Sequence, residues 1–553
     1  MAISSQSRRT AVLAGAAVLA LATTGVAGAG AASAHGGHSS HGTDRRLAPR
    51  THFTMAADGS SGTKVGGEGI PNIDSVKKTI YAYYGDPTGK GLANPTDSPY
   101  VREMSSIIAK ERRQLPRLLA DAKRHHQKPA IVFDADDTTL WTYQMEVGDM
   151  KFVFTPAAQA PWVNEERFPA VPGMVDFVND AKAMGFTIFG LTGRSDSQKD
   201  HTVSNLAKVG YTAFTSDHYF TKYNSGTTPP AYLTCVAAPT CTTVEYKAGT
   251  RKHIEQDLGY DVVLNVGDQF SDLQGGYADH SLKLPNPTYY LPSPNLPGVN
   301  EPWLSPRTHF TMKPDGTSGL TAGGEGIPNI DSVKKTIYTY YGDPTGSGVA
   351  NTAASPYISE MAKIERAQRA RLLQTCATEA RRGKHPAVVL DADDTTLWGY
   401  EMEVGAMKFV FDPVVQDTQW VQPQKFLATP GMVSLANDAS AAGCTLVGLT
   451  GRNDNQKAAT LGNLAKVGYT GFTSANYFTK WVSGTTPPAY VTPADCVAYP
   501  TCTTIEYKST VRKHVERDLG YDVVANFGDQ YSDLIGGHAD RVVKLPNPMY
   551  YLP

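Results

Sequence analysis

The chain has 553 residues, 41% of them hydrophobic and 19% charged, with 51 Lys+Arg against 53 Asp+Glu and a formal charge of −2. That is a globular composition, not a disordered or fibrous one, and at roughly 100–200 residues per domain the length allows about three or four domains. So even a balance of charge leaves no broad basic surface for nucleic acid, and six cysteines in so long a chain are too few for a disulfide scaffold.

The first segment, Met1 to Ala34, joins Arg8 and Arg9 to an apolar run from Ala11 to Leu21 and ends in the small residues Ala32-Ser33-Ala34. It reads as an export signal cleaved after Ala34, by the general or the twin-arginine route. A polar leader follows over residues 35–49 with His35, His38 and His41. A flexible new N-terminus accounts for these histidines better than metal capture does. No later stretch of 18 or more apolar residues occurs, so an exported, soluble product without a membrane anchor is expected.

Beyond the leader the chain repeats itself. Arg50-Thr-His-Phe-Thr-Met55 returns as Arg307-Thr-His-Phe-Thr-Met312, and 33 of the 40 residues from Arg50 to Gly89 are identical at a shift of 257. The match runs on to Lys283-Leu-Pro-Asn-Pro287 and Lys544-Leu-Pro-Asn-Pro548, where the shift has grown to 261; Pro493, Ala494 and Asp495 are three of the four added residues. A period this long is a whole domain duplicated in tandem, not a solenoid. The expected organisation is copy 1 over 50–292, a stiff Pro-rich linker over 293–305 and copy 2 over 306–553.

Within copy 1, Ala130 to Asp134 is an apolar run ending in acid. A helical pattern over Met174–Met184 precedes a second apolar run, Thr187–Leu191, closed by Thr192-Gly193. Helical spacing returns over Ser197–Val209 and Tyr246–Leu258, and the run Asp261–Val266 is closed by Gly267-Asp268. Short buried strands alternating with helices predict an α/β fold in each copy, a parallel sheet flanked by helices. Sites in such sheets form at the carboxyl ends of strands, so the polar residues ending these runs should meet in one crevice.

Those residues carry chemistry. Asp134 and Asp136 share a face of extended chain. Carboxylates that close repel unless a cation lies between them or one keeps a proton. A hard divalent ion such as Mg²⁺ answers the first condition and a general acid the second. Helix capping by Asp137 or Thr138 explains part of the pattern, but not three acids behind an apolar strand. Thr192, the backbone around Gly193 and Arg194 suit an anion. Lys247, alone, is no more than a solvated lysine, and Gly267-Asp-Gln-Phe-Ser-Asp272 puts two acids just past a strand.

In this order, Asp134 to Thr138, Thr192-Gly193, Lys247 and Gly267 to Asp272, they resemble the four motifs of the haloacid dehalogenase (HAD) superfamily of phosphohydrolases. More narrowly, Val244-Glu-Tyr-Lys-Ala-Gly-Thr-Arg251, Gly267-Asp-Gln-Phe-Ser-Asp-Leu273 and Lys283-Leu-Pro-Asn-Pro287 are similar to the secreted acid phosphatases of subfamily IIIB, related to plant vegetative storage proteins. The resemblance covers about Pro129–Pro292 and Pro386–Pro553. It implies two tandem HAD-like domains, each with a small cap insertion, acting on small phosphomonoesters. Asp134 would form an aspartyl-phosphate, and Asp136 would protonate the leaving alcohol and then activate water. Thr192 and Lys247 would hold the phosphoryl oxygens, with Arg194 adding a grip on phosphate. One Mg²⁺ per domain would sit on Asp134, the carbonyl of Asp136 and Asp268, with Asp272 behind them. In copy 2 the same roles fall to Asp391, Asp393, Thr450, Lys508, Asp529 and Asp533, with Arg452 matching Arg194, so two competent sites are expected. A free Asp titrates at about 3.9, so a general acid of this type suits an acidic to near-neutral optimum. The rivals are a nucleotide-specific phosphatase or phosphotransferase, and a storage or binding protein on the same fold with one or both sites inactive.

Between the first two motifs, Trp141 to Pro172 would be the cap that the resemblance implies, where Phe152, Phe154, Trp162 and Phe168 either stack on a leaving group or pack the cap itself. The copies differ there (Thr142 against Gly399, Asp149 against Ala406), which leaves room for different substrate preferences. Cys235 and Cys241 recur as Cys496 and Cys502, and export favours their oxidation into short loops. Cys376 and Cys444 occur only in copy 2; either they bridge a helix to the second strand, or Cys444 is a buried substitute for Phe186.

Overall fold

A computed structural model describes residues 47, 52–54, 70–305, 309–311 and 327–552. The segment read as an export signal, with His35, His38 and His41, lies outside the described residues. The strands are, in chain order, β1 (His52–Thr54), β2 (Pro129–Phe133), β3 (Thr187–Ser195), β4 (Tyr219–Lys222), β5 (Asp261–Gly267), β6 (Ser281–Lys283), β7 (His309–Thr311), β8 (Pro386–Leu390), β9 (Leu397–Trp398), β10 (Leu427–Ala428), β11 (Thr445–Asn453), β12 (Tyr477–Lys480), β13 (Asp522–Gly528) and β14 (Val542–Lys544). Copy 1 builds a five-stranded sheet in the order β4-β3-β2-β5-β6 and copy 2 repeats it as β12-β11-β8-β13-β14. All neighbours in both sheets run parallel.

The expected central strands form because their side chains are buried on both faces. Along β2, Ile131 and Phe133 enter one apolar cluster with Phe177 and Ile188, while Ala130 and Val132 enter another with Tyr246 and Ile254. That alternation is the period of two of a strand covered on both sides. Four helices matter below: α1 (Ile73–Tyr84), α2 (Thr243–Gln256), α3 (Ile330–Tyr340) and α4 (Thr504–Arg517). α2 starts on a capping box, with Glu245 N donating to Thr242 Oγ1 at 3.1 Å and Thr242 N to Glu245 Oε2 at 2.7 Å.

The copies differ where proline and cysteine differ. Copy 1 has two helices, Pro99–Arg112 and Leu115–Arg124, with Pro116 at the start of the second. Copy 2, with Leu373 at that place, runs one helix from Pro356 to Arg381. Cys376 on it is bonded to Cys444 at the foot of β11, so the bridging alternative is the one the fold adopts. The pairs Cys235–Cys241 and Cys496–Cys502 are also formed. With 68 residues between its ends, the Cys376–Cys444 bridge removes more freedom from the unfolded chain than the six-residue loops do. The variant Cys376→Ala/Cys444→Ala should lose about 4 kcal/mol on the chain-entropy estimate. Urea unfolding checks this, and a loss no larger than that from opening Cys235–Cys241, about 2 kcal/mol, would contradict it.

The stretch expected as a stiff linker is docked along copy 1. Leu304 is buried against Phe270 and Leu273, and Gly275 N donates to Glu301 Oε2 at 2.8 Å. The N-terminal arms then cross. β1 pairs with β7 antiparallel, Phe53 opposite Phe310. The last turn of α1 stays on its own copy, where the Tyr84 ring lies 4.2 Å from that of Tyr143. Its first turn docks on copy 2: Asn72 Nδ2 donates to Asn547 O (3.1 Å) and Tyr550 O (2.6 Å), and Ile73 N to Pro548 O (3.0 Å). α3 reciprocates, Asn329 Nδ2 donating to Asn286 O (3.0 Å) and Tyr289 O (2.6 Å). Val76 and Ile80 of α1 and Val333 and Ile337 of α3 belong to one buried apolar cluster that spans both copies. Among the described residues no helix is long and apolar enough to cross a membrane.

Candidate active site

β2 delivers Asp134 to the crevice, its N–H donating to Val266 O at 3.1 Å. Asp137, three residues on, adopts a left-handed φ of 51° and accepts from Thr142 N at 3.1 Å. The turn it makes brings Thr138 Oγ1 to Asp268 Oδ1 at 3.2 Å. β5 delivers Asp268 from the neighbouring strand. Gly267 lets the chain fold back, because a Cβ there would stand 2.5 Å from Asp272 Cβ. Asp272 Oδ2 then accepts from Gln269 N at 2.8 Å.

Lys247, carried by α2, donates to Asp134 Oδ1 at 2.7 Å and to Asp272 Oδ1 at 2.5 Å, with only 3% of its side chain exposed. Asp134, Asp268 and Asp272 each offer an oxygen within 4.8 Å of the others. Copy 2 repeats the set with Asp391, Asp529 and Asp533, Lys508 bridging the first and last at 2.7 and 2.6 Å. Burial pushes Asp134 well above the usual carboxylate range, with Lys247 opposing and Asp272, Asp268 and Asp136 adding to the rise. Burial, then Asp272, raises Asp268 to about 6; burial, then Asp268, raises Asp137 to about 8. Burial also works against the charge of Lys247, but Asp134 and Asp272 outweigh it and hold its pKa above the ordinary value. Three buried carboxylates against one ammonium leave negative charge to be met, and an all-oxygen donor set suits a hard divalent cation.

Asp136 stands apart from this triad. Arg194 grips it with two bonds, Nε to Oδ2 at 3.0 Å and Nη2 to Oδ1 at 2.6 Å, and spends Nη1 on Thr202 Oγ1 at 3.0 Å. The guanidinium expected on phosphate is therefore 2% exposed and occupied with the carboxylate beside it. Arg452 treats Asp393 alike, at 3.1 and 2.6 Å. Thr192 is buried within β3, its Oγ1 accepting from Arg194 N at 3.2 Å, and Thr450 in β11 does the same for Arg452.

Several residues of the site carry no role in the sequence reading. Asn286 Nδ2 and Gln269 Nε2 both donate to Asp268 Oδ2, at 2.8 and 2.7 Å, and Asn547 and Gln530 hold Asp529 at the same distances. Arg251 ties three carbonyls, those of Asp272, Gln274 and Gly276, fixing the loop that carries the last acid. Asn286 falls in the repeated segment Lys283–Pro287, the one signal that marked it. Of the cap aromatics Phe152, Trp162 and Phe168 are buried, so packing is their role; Phe154 is exposed. Asp149 accepts from Trp162 Nε1 at 2.7 Å, a bond that Ala406 removes in copy 2.

A buried cap carboxyl, Glu403, faces the second site. Burial first, then Asp74 and Asp393, raise it from 4.5 to about 8, with Lys77 opposing. A carboxyl bound more tightly to its proton in the folded state adds stability that is complete below about 4.5 and lost as pH rises through about 8. Glu403→Gln should therefore be more stable than the parent at pH 9 by a few kcal/mol, and close to it at pH 4.5. Urea midpoints at the two pH values test this; an equal difference at both would contradict it.

Two parallel sheets, each with five acids beyond its strand ends and a lysine reaching them from a helix, define a class. The family model of the HAD superfamily, subfamily IIIB (acid phosphatase) matches residues 96–292 and 349–553, and the chain belongs to that family. It is similar to a stem 31 kDa glycoprotein of Glycine max, 32% identical over 171 residues that make up 29% of this chain and 52% of the relative. It is also similar to acid phosphatase 1 of Solanum lycopersicum (31% identical, 29% of this chain and 58% of the relative) and to vegetative storage protein 1 of Arabidopsis thaliana (30% identical, 40% and 75%). The chain spans just over half the length of the first two.

Proposed function

We propose that the chain is an exported, Mg²⁺-dependent acid phosphatase that hydrolyses small phosphomonoesters at two sites. The observation that carries this is the buried triad of Asp134, Asp268 and Asp272 around Lys247, repeated in full in copy 2. Held by those carboxylates, Mg²⁺ would supply positive charge to the phosphoryl oxygens. Asp134 attacks phosphorus in line, forming a P–O bond to its carboxylate as the bond to the alcohol breaks. Asp136 gives its proton to the departing oxygen. Water then attacks the same phosphorus, its proton passes to Asp136, and inorganic phosphate leaves as Asp134 is regenerated. Arg194 keeps Asp136 in place, while Lys247 and Thr192 take phosphoryl oxygens. A general acid supplies roughly 10²–10⁴ of an acceleration that reaches about 10²¹ for phosphate monoesters, so charge held in position does most of the work.

The test is release of nitrophenol from 4-nitrophenyl phosphate at pH 5–7, before and after chelation and with Mg²⁺ added back. Loss on chelation and recovery with Mg²⁺ are expected. Absence of turnover would favour a storage role, and turnover indifferent to chelator would overturn the mechanism.

A further inference from the structure

The crossed arms give the second site a wall from the first copy. Besides the bonds from Asn72 and Ile73, Tyr551 N donates to Asp74 Oδ2 at 3.1 Å, and Lys77 Nζ donates to Phe409 O in the cap of copy 2. Between α1 and that cap lies a cleft of about 240 Å³, lined by Lys77, Lys78 and Lys151 from copy 1 and by Glu403, Phe409 and Tyr550 from copy 2. Tyr550 is a wall shared with the chemistry, for its hydroxyl donates to Asp529 Oδ2 at 3.2 Å. Glu403 lies within the electrostatic reach of both Asp393 and Lys77. Through Tyr550 the cleft thus adjoins Asp529, an acid of the candidate cation site, and it opens beside the cap of that site.

Its charge is unusual for such a place. Lys77 is paired with Asp74 at 2.9 Å. Lys78 stands over the ring of Tyr551, 5.4 Å from its centre, and Lys151 is exposed at the rim. Glu403 keeps its proton up to about 8, so at acidic pH three ammonium groups face one carboxylate. A phosphomonoester with a neutral leaving group makes no use of that excess, whereas an anion on the leaving group does.

Building on the hydrolase reading above, we propose that the second site selects phosphomonoesters whose leaving group bears its own anionic group, a carboxylate or a second phosphate, and that Lys78 and Lys151 of the first copy recognise it. The first site receives the reciprocal wall: Lys334 Nζ donates to Phe152 O, and Lys335 stands over Tyr290, 5.7 Å from the ring centre. Specificity at each site is thereby written in the opposite half of the chain.

The experiment uses full-length protein with Asp134→Asn, in which only the second site turns over. Rates are compared for 4-nitrophenyl phosphate, 4-carboxyphenyl phosphate and 1,4-phenylene bisphosphate, separating neutral, carboxylate and phosphate leaving groups. Lys78→Gln/Lys151→Gln should lower kcat/KM for the two anionic substrates relative to the neutral one by about tenfold, mainly through KM, and Lys78→Arg/Lys151→Arg should restore the ratio. With Asp391→Asn, where the first site works alone, the ratio should respond to Lys335→Gln in place of Lys78→Gln. A ratio unmoved while turnover persists, or one that follows Lys78 when the first site works, overturns this inference and leaves the hydrolase reading standing. No turnover of any of the three by the parent protein overturns both.

Discussion

Asp134→Asn combined with Asp391→Asn should lower phosphatase turnover by on the order of 10⁴-fold or more, while either change alone removes only the share of its own site. An amide oxygen in place of the carboxylate can still accept from the lysine 2.7 Å away, so the fold should survive, but it cannot form the acyl phosphate through which the reaction is divided. Loss of a group that acts as one part of a unit costs nearly as much as loss of the whole unit. The two units stand on separate sheets, and their losses should combine as independent sites do. Steady-state hydrolysis of 4-nitrophenyl phosphate by the four proteins decides the matter. A double variant with the parental rate would refute the assigned nucleophiles, and a single variant without any rate would show that one crevice does all the work.

The second large effect is expected at Lys247. Lys247→Ala removes a cation that is 3% exposed and leaves Asp134 and Asp272, 9% and 5% exposed, facing each other. Breaking a buried pair in this way costs about 3–5 kcal/mol, because the remaining charge is buried without compensation. The same variant should lose roughly 10²–10³ in turnover at the first site, the scale of one donor to developing charge. The two losses separate by condition. Saturating Mg²⁺ should recover much of the stability by lying between the carboxylates, and little of the rate. Urea unfolding with chelator and with Mg²⁺, in an Asp391→Asn background for the kinetics, reads both. A metal-free Lys247→Ala protein as stable as its parent would mean that the bridging bonds carry no net energy.

Much of this architecture was visible in the residues alone. β2, β3 and β5 announce themselves because they are buried on both faces and end in the acids and hydroxyl of the site. Their edge neighbours do not: β4 is four residues of alternating burial, and β6 three residues with an exposed start, too little to make a pattern. Asp134, Lys247 and the two acids after β5 meet in one place. Arg194 converges too, but on Asp136, since a planar guanidinium meets a carboxylate within reach before it meets a substrate. The parts played by Asn286 and Gln269 escaped notice because a neutral side chain that orients a carboxylate has no spacing of its own, and Thr138, read as a helix cap, donates to Asp268. The crossing of the arms was hidden for a different reason. When 33 of 40 residues are the same in both arms, each presents nearly the same face, and sequence cannot say whether α1 seats on its own copy or on the other.

The pairing of β1 with β7 sets Phe53 against Phe310 across a local pseudo-twofold axis, as two identical subunits would arrange themselves. Here the two halves are one polypeptide, so association is set by the tether and does not weaken on dilution. The tether also removes a constraint that symmetry imposes on a homodimer, where every substitution appears on both sides of the axis at once. In this chain Met549 takes the place that Thr288 has in the first copy, and Ala406 that of Asp149, so the halves differ at both positions. Joining the two copies in one chain turns a symmetry that a homodimer must keep into a freedom, since a substitution can reach one crevice and leave the other unchanged.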